Sequence, residues 1–292
     1  MTSINYKKYF ENIAYLQDWI NEAPGWFSVS DLTSDRDEQL VFIRKFEVLV
    51  AGGFCQRHAD RRGCYRKIES ELEVMDFVNV EANPVNIWLP FDLSDYVELY
   101  PGNMVLIAGC KSSGKTGIML NMVHENMKEW DVEYFNSEMG TAELRRRLDL
   151  FPYTSINQWN FTAYKRASNF GEAIVGGTNK LILIDFLEIH DEFYAVGKAI
   201  KAIHDNLKGA VAVVAIQKNP NSDVGLGGWR SAEVSRLYLS IDRNRVKITD
   251  AKNFRQPDKN PNGWIRHFNI KSGCQITTKE GWKREAKGGS DE

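Results

Sequence analysis

Four cysteines in 292 residues, at Cys55, Cys64, Cys110 and Cys274, are too few and too scattered for a disulfide framework. No C-x-x-C pair occurs, and Cys55, His58 and Cys64 lack an evident fourth metal partner, so they read as ordinary residues of a hairpin. No apolar run approaches the roughly 18 residues that cross a bilayer, and the N-terminus lacks a signal-peptide core. The expectation is therefore a cytoplasmic chain with no membrane association. An excess of one charge is also missing: 37 Lys and Arg stand against 39 Asp and Glu, a formal net charge of −2. Nothing global attracts a polyanion, so any affinity for nucleic acid has to come from local basic patches.

What is present is an ordinary globular composition, 43% hydrophobic, in a chain long enough for two domains. The stretch "LIAGCKSSGKTGIML", residues 106–120, reads as a buried strand, a glycine-rich turn and the start of a helix. It carries the spacing G-x-x-x-x-G-K-[ST], the Walker A loop, in which backbone N–H groups surround phosphates. Gly109, Cys110, Lys111, Ser112, Ser113, Gly114, Lys115, Thr116 and Gly117 are the expected ATP-binding residues. Lys115 would reach the β- and γ-phosphates, and Thr116 would hold Mg²⁺.

Phosphoryl transfer needs a placed metal ion, an oriented water and neutralised charge more than covalent help. Asp185 ends the apolar run "LILID" and is the expected second Mg²⁺ ligand, delivered to a strand's C-terminal edge. Glu138 in "YFNSEMG" is placed to polarise a water, and Gln217 ends the strand "VAVVAIQ" where an amide can contact the γ-phosphate. Each has a plainer alternative: Asp185 as a helix cap, Glu138 as a loop glutamate, Gln217 as a solvated strand end.

The second half alternates strand and helix patterns, which predicts an α/β domain with a mainly parallel sheet flanked by helices. "RLYLSID", "RVKITDAKN" and "WIRHFNIK" read as antiparallel additions at its far side. The first half differs. Apolar residues recur at helical spacing over residues 5–22, a second helical pattern ends at Gly52-Gly53, and "FCQRHADRRGCYRKIE" reads strand, turn, strand. Helices followed by a basic hairpin resemble a winged helix-turn-helix domain.

Arg57, Arg61, Arg62, Arg66 and Lys67 oppose a single acid, Asp60, within that hairpin. They are the expected DNA contacts, through phosphates. A solvated hairpin, or one docked on a neighbouring subunit, is the other reading. The domain plan is 1–85 winged-helix-like, 86–275 α/β core, and 276–292 a polar mobile tail. The three arginines in "LRRRL", residues 144–148, point around a helix and include at least one solvated or intersubunit side chain. His190 and His204 read as structural or exposed.

The order of motifs from about residue 90 to 271 resembles the DnaB-type replicative helicases, a branch of the RecA-like ATPases with RadA and KaiC relatives. "YFNSEMGTAELRRRL" is similar to that family's strand-to-helix element after the Walker A helix, and "LILIDFLEI" to its Walker B strand. The resemblance implies ATP and Mg²⁺ as cofactors, Lys115, Glu138, Asp185 and Gln217 in the catalytic roles above, and a homo-oligomer, ring or filament. It also implies that the loop "KNPNSDVGLGGWRS", Gly-rich and mobile with Lys218 and Arg230 as its charges, faces DNA. The family's lysine and arginine finger fall on Lys252 and, displaced by one position, Arg255, with Arg243 and Arg245 in reserve. Its implied function is a DNA motor or loader in replication, recombination or mobile-element processing. A DNA-binding switch without translocation and an ATP-dependent protein-assembly factor are the alternatives, the last with a protein partner on the N-terminal domain.

Overall fold

The computed structural model describes residues 13–23, 25–68, 75–187, 193–220 and 222–285. His190, the first part of the amphipathic segment 5–22 and residues 286–292 lie outside them. The chain divides into two compact units, 1–80 and 81–292.

In the first unit, helix α1 (Ile13–Glu22) precedes a short strand β1 (Phe27–Ser28), helix α2 (Arg36–Ala51) and the hairpin β2 (Cys55–Arg57) and β3 (Cys64–Lys67). The three strands form an antiparallel sheet in the order β1-β3-β2. Helix α2 starts where Asp35 accepts from the N–H groups of Asp37 and Glu38, at 2.8 and 3.0 Å, which satisfies two helix-end donors. Its buried stripe Phe42, Phe46 and Leu49 closes a core with Leu16, Ile20, Phe27 and Tyr65. Between β1 and α2 the described residues hold only a one-turn 3₁₀ segment, Val29–Asp31. His58 Nδ1 accepts from the N–H groups of Asp60 and Arg61, so this histidine caps the hairpin turn. All four cysteines are free thiols, and no group of metal-ligating residues forms among the described residues.

The second unit is α/β. Strand β4 (Met104–Gly109) leads into helix α3 (Lys115–Asn126), followed by β5 (Asp131–Asn136), α4 (Thr141–Leu148), β6 (Thr162–Lys165) and the short α5 (Phe170–Ala173). Then come β7 (Lys180–Leu187), α6 (Phe193–Asp205), β8 (Val211–Gln217), β9 (Leu237–Asp242) and β10 (Arg245–Ala251). Strands β11 (Trp264–Lys271), β12 (Gln275–Thr278) and β13 (Lys283–Arg284) complete it. The sheet runs β12-β11-β10-β9-β4-β8-β7-β5-β6, with β13 on β11.

Because side chains alternate across a strand, the central strands bury both faces. Val105 and Ile107 share a core with Ile118, Met119 and Met122 of α3. Leu106, Ala108, Ile182 and Ile184 share another with Val196, Ile200 and Ile203 of α6. Helices therefore cover both faces of a mainly parallel sheet, the expected architecture. Among the described residues no helix is long and apolar enough to cross a membrane.

Two expectations are corrected. The segment "RLYLSID" is not an antiparallel addition: β9 pairs in parallel with β4, and only from β10 onward do the strands reverse. Residues 276–285 are not a mobile tail. Strand β12 pairs Ile276 with Ile270, Trp282 Nε1 donates to the Phe91 carbonyl at 2.8 Å, and Glu285 pairs with Lys247 at 2.6 Å.

Candidate nucleotide site

The site begins at the C-terminal edge of β4, where loop and helix dipole together favour an anion. Gly114 caps α3 at φ 95 without a side-chain acceptor, which leaves the first helical N–H groups to a ligand. A side chain at position 114 would run into Ile270 Cδ1, and a Cβ on Gly117 would lie 2.5 Å from the Gly273 carbonyl. The turn between β11 and β12 thus packs directly behind the loop. Asn121 ties the two together, its Nδ2 donating to the carbonyls of Gly117 and Cys274 at 2.7 and 2.6 Å.

Lys115 Nζ donates to the carbonyls of Gly109 and Cys110, both at 3.0 Å, so its ammonium is folded across the mouth of the loop. Burial pushes its pKa down, while the charges of Asp185 and Glu138 pull it back. This places both carboxylates within electrostatic reach of Lys115. The residues fit a phosphate chain with its cation. A Cβ on Gly109 would lie 2.6 Å from Ser113 Oγ and 2.8 Å from Lys115 Cγ, filling the cradle. Ser113 Oγ itself is buried without a hydrogen-bond partner, a donor that a phosphate oxygen would satisfy.

Asp185 is 4% exposed. Its Oδ2 accepts from Tyr134 Oη at 2.6 Å. Burial raises the Asp185 pKa, opposed by the Tyr134 hydrogen bond, by the nearby Thr116 hydroxyl and by the positive charges of Lys115 and Arg147. Thr116 and Asp185 are the residues that could hold a Mg²⁺ ion at this loop, and such an ion would neutralise charge accumulating on phosphates. No helix cap is involved, because Asp185 lies within β7.

The same burial predicts a stability effect. A carboxyl whose folded-state pKa is raised favours the fold while protonated, and that contribution is lost as pH rises through the raised value. That contribution is smallest in the metal-free protein at alkaline pH, for instance at pH 8. Asp185→Asn should raise the melting temperature there, in EDTA, by a few degrees, on the order of what 1 kcal/mol yields in a domain of this size. The gain should shrink as pH falls toward the ordinary carboxylate range; a variant less stable than wild type at pH 8 would contradict this.

Glu138 is exposed, on a turn fixed from below. Asn136 Oδ1 accepts from the N–H groups of Glu138 and Met139, at 3.2 and 2.9 Å, and Asn136 Nδ2 donates to the Met139 carbonyl. Ser137 N–H donates to the Asp185 carbonyl at 3.2 Å, which locks the turn to the end of β7. Gln217 is exposed directly opposite Gly109 in the β4–β8 register. Lys115, Thr116, Glu138, Asp185 and Gln217 thus lie along one sheet edge.

Other expected residues fall elsewhere. Lys218 is not a surface cation for DNA: its side chain is 1% exposed, 2.6 Å from Asp242 Oδ1, and donates to the Ser222 carbonyl at 2.7 Å. Asp242 also accepts from Cys110 Sγ at 3.5 Å, so this ion pair backs onto the phosphate loop. The described residues of the following loop are tied down as well. Leu226 N–H donates to the Gln217 carbonyl at 2.8 Å, Gly225 N–H to Tyr238 Oη at 2.7 Å, and Asp223 pairs with Lys247 at 2.6 Å. Arg230 is exposed beside Trp229, which is 62% exposed.

Arg255 lies in the exposed β10–β11 connection, its N–H donating to the Tyr96 carbonyl at 3.0 Å. Arg245 is engaged with Asp242 and Glu285, and Lys252 with the carbonyls of Ala232 and Glu233. Arg145 and Arg147 pair with Asp149 and Glu143 on their own helix; Arg145 is the exposed, solvated side chain expected of that run, whereas Arg147 is half-buried with its Nε enclosed. In the first unit Arg57 pairs with Glu47 and Arg66 sits 5.2 Å over the Trp26 ring, while Arg61 and Arg62 are exposed at the turn.

Sequence reasoning missed Tyr134, Asn136 and Asp242. The first two had a signal, polar groups at period 2 leading to Glu138 in a buried strand; Asp242 had none.

No family model and no curated protein matches the chain. Among solved structures it is similar to a RadB recombinase, with 13% sequence identity and a TM-score of 0.47 over 63% of this chain and 94% of that chain. A likeness that distant carries no functional information.

Proposed function

We propose that the chain is a Mg²⁺-dependent ATPase of RecA-like type that couples hydrolysis to DNA, as a motor or loader in replication, recombination or mobile-element processing. The observation that supports this reading is the phosphate loop at the end of β4, with Lys115 folded across it and Ser113 Oγ unpartnered, beside buried Asp185 on β7 and the anchored turn of Glu138. Lys115 holds β- and γ-phosphate charge, Thr116 and Asp185 hold Mg²⁺, Glu138 orients the attacking water, and Gln217 senses the γ-phosphate. Arg255, exposed on its own chain, is assigned to a neighbouring copy's nucleotide in a ring or filament.

DNA contact is assigned to Arg61, Arg62, Arg66 and Lys67 on a winged-helix-like first unit, and to Arg230 beside Trp229. Reversing Arg61 and Arg62 to Glu should weaken duplex binding about tenfold or more at low salt. It should also reduce the slope of log K against log salt by about 2, roughly 0.9 per lost phosphate contact. Unchanged affinity and slope would leave the hairpin as scaffold.

The whole reading is tested by ATP hydrolysis without nucleic acid, with single strands and with duplex. Stimulation by single strands is the motor's result; a slow rate indifferent to both would contradict coupling to DNA. One observation favours a second reading, a protein-assembly ATPase. Helix α2 exposes Leu40, Val41 and Val48, the last 61% exposed, an apolar surface suited to a protein partner.

A further inference from the structure

The buried phenol of Tyr134 has no part in the roles assigned above, yet it makes the tightest contact to the metal-side carboxylate. Tyr134 lies on β5, directly beside β7, with Tyr134 facing Leu183 and Asn136 facing Asp185 in the parallel register. The side chain is 0% exposed, packed among apolar neighbours, and its ring meets Phe161 edge-on at 6.2 Å. A phenol in such surroundings needs a partner, and its partner is Asp185 Oδ2 at 2.6 Å. Asp185 is therefore held by a residue of the strand that leads into the Glu138 turn, beside the phosphate loop.

On one face of β5, Tyr134 bonds Asp185 and Asn136 holds the turn that carries Glu138. Arg147, from the helix after that turn, adds its charge to both Tyr134 and Asp185.

We propose that Tyr134 is a positioning residue for the divalent cation, its hydroxyl holding Asp185 in the orientation that lets Thr116 and Asp185 share the ion. The assignment rests on the Mg²⁺-nucleotide reading above. Residues that orient a metal ligand typically change metal affinity by about 10–100-fold when removed. An apolar isostere at 134 leaves the ring packing and removes only the hydrogen bond.

The test is the affinity of the full chain for a fluorescent ADP analogue, in EDTA and across a Mg²⁺ titration, for wild type, Tyr134→Phe and Phe135→Leu. Phe135 is buried on the same strand but in the opposite core, so its variant matches a packing loss without touching Asp185. Tyr134→Phe is expected to bind nucleotide in EDTA as wild type does and to need about tenfold more Mg²⁺ for half-maximal tightening. Phe135→Leu should keep the wild-type Mg²⁺ requirement. An unshifted requirement in Tyr134→Phe, or an equal shift in both variants, would overturn the proposal. Wild type binding nucleotide with no Mg²⁺ dependence would instead remove the underlying reading, and this assignment with it.

Discussion

Lys115→Ala is expected to lower ATP turnover by about 10²–10³-fold or more, the scale on which removal of one preorganised electrostatic contact acts. The ammonium lies against two backbone carbonyls at the loop mouth and is drawn toward Asp185 and Glu138. Burial works against its charge and the carboxylates of Asp185 and Glu138 offset that, so part of the desolvation a bound phosphate would require is already met in the folded chain. Alanine removes the charge and leaves the carbonyls facing the γ-phosphate position. Lys115→Arg should not restore turnover, because a planar fork presents its donors in a fixed geometry that a compact ammonium on two backbone carbonyls does not share. Nucleotide affinity and hydrolysis should fall together, with the circular dichroism spectrum unchanged; turnover within about threefold of wild type would remove Lys115 from the site.

Glu138→Gln should separate binding from chemistry. The amide keeps the size of the side chain and the anchored turn, whose contacts run through Asn136 and the backbone. It cannot take a proton from water. Loss of a general base costs about 10²–10⁴-fold, so hydrolysis should collapse while ATP affinity stays at or above the wild-type level. Equal hydrolysis by the two proteins would transfer the role elsewhere on the sheet edge.

Much of this architecture is legible in the amino-acid sequence. Apolar strands ending in a glycine-rich turn, an Asp or a Gln have few alternatives in a chain that also alternates helix and strand, and each falls where that pattern places it. What stays hidden depends on partners distant in sequence. Strand β9 reads as one more amphipathic run, and its parallel orientation comes from pairing with β4, far earlier in the chain. Lys218 looks like a loop cation because its counter-ion Asp242 and the carbonyl of Ser222 enclose it only in the fold. Residues 276–285 are polar enough to resemble a tail, yet Ile276 and Trp282 give the segment enough apolar surface to dock. The Tyr134–Asp185 bond joins adjacent strands that are 51 residues apart in sequence, and composition cannot report it.

The most direct test of the account is steady-state phosphate release from ATP by purified wild-type protein, with Mg²⁺ and with EDTA, beside Lys115→Ala protein prepared identically. The account predicts release by wild type that requires Mg²⁺ and is absent from the variant. Release that is equal in the two proteins, or none from wild type under any condition that permits nucleotide binding, would contradict it.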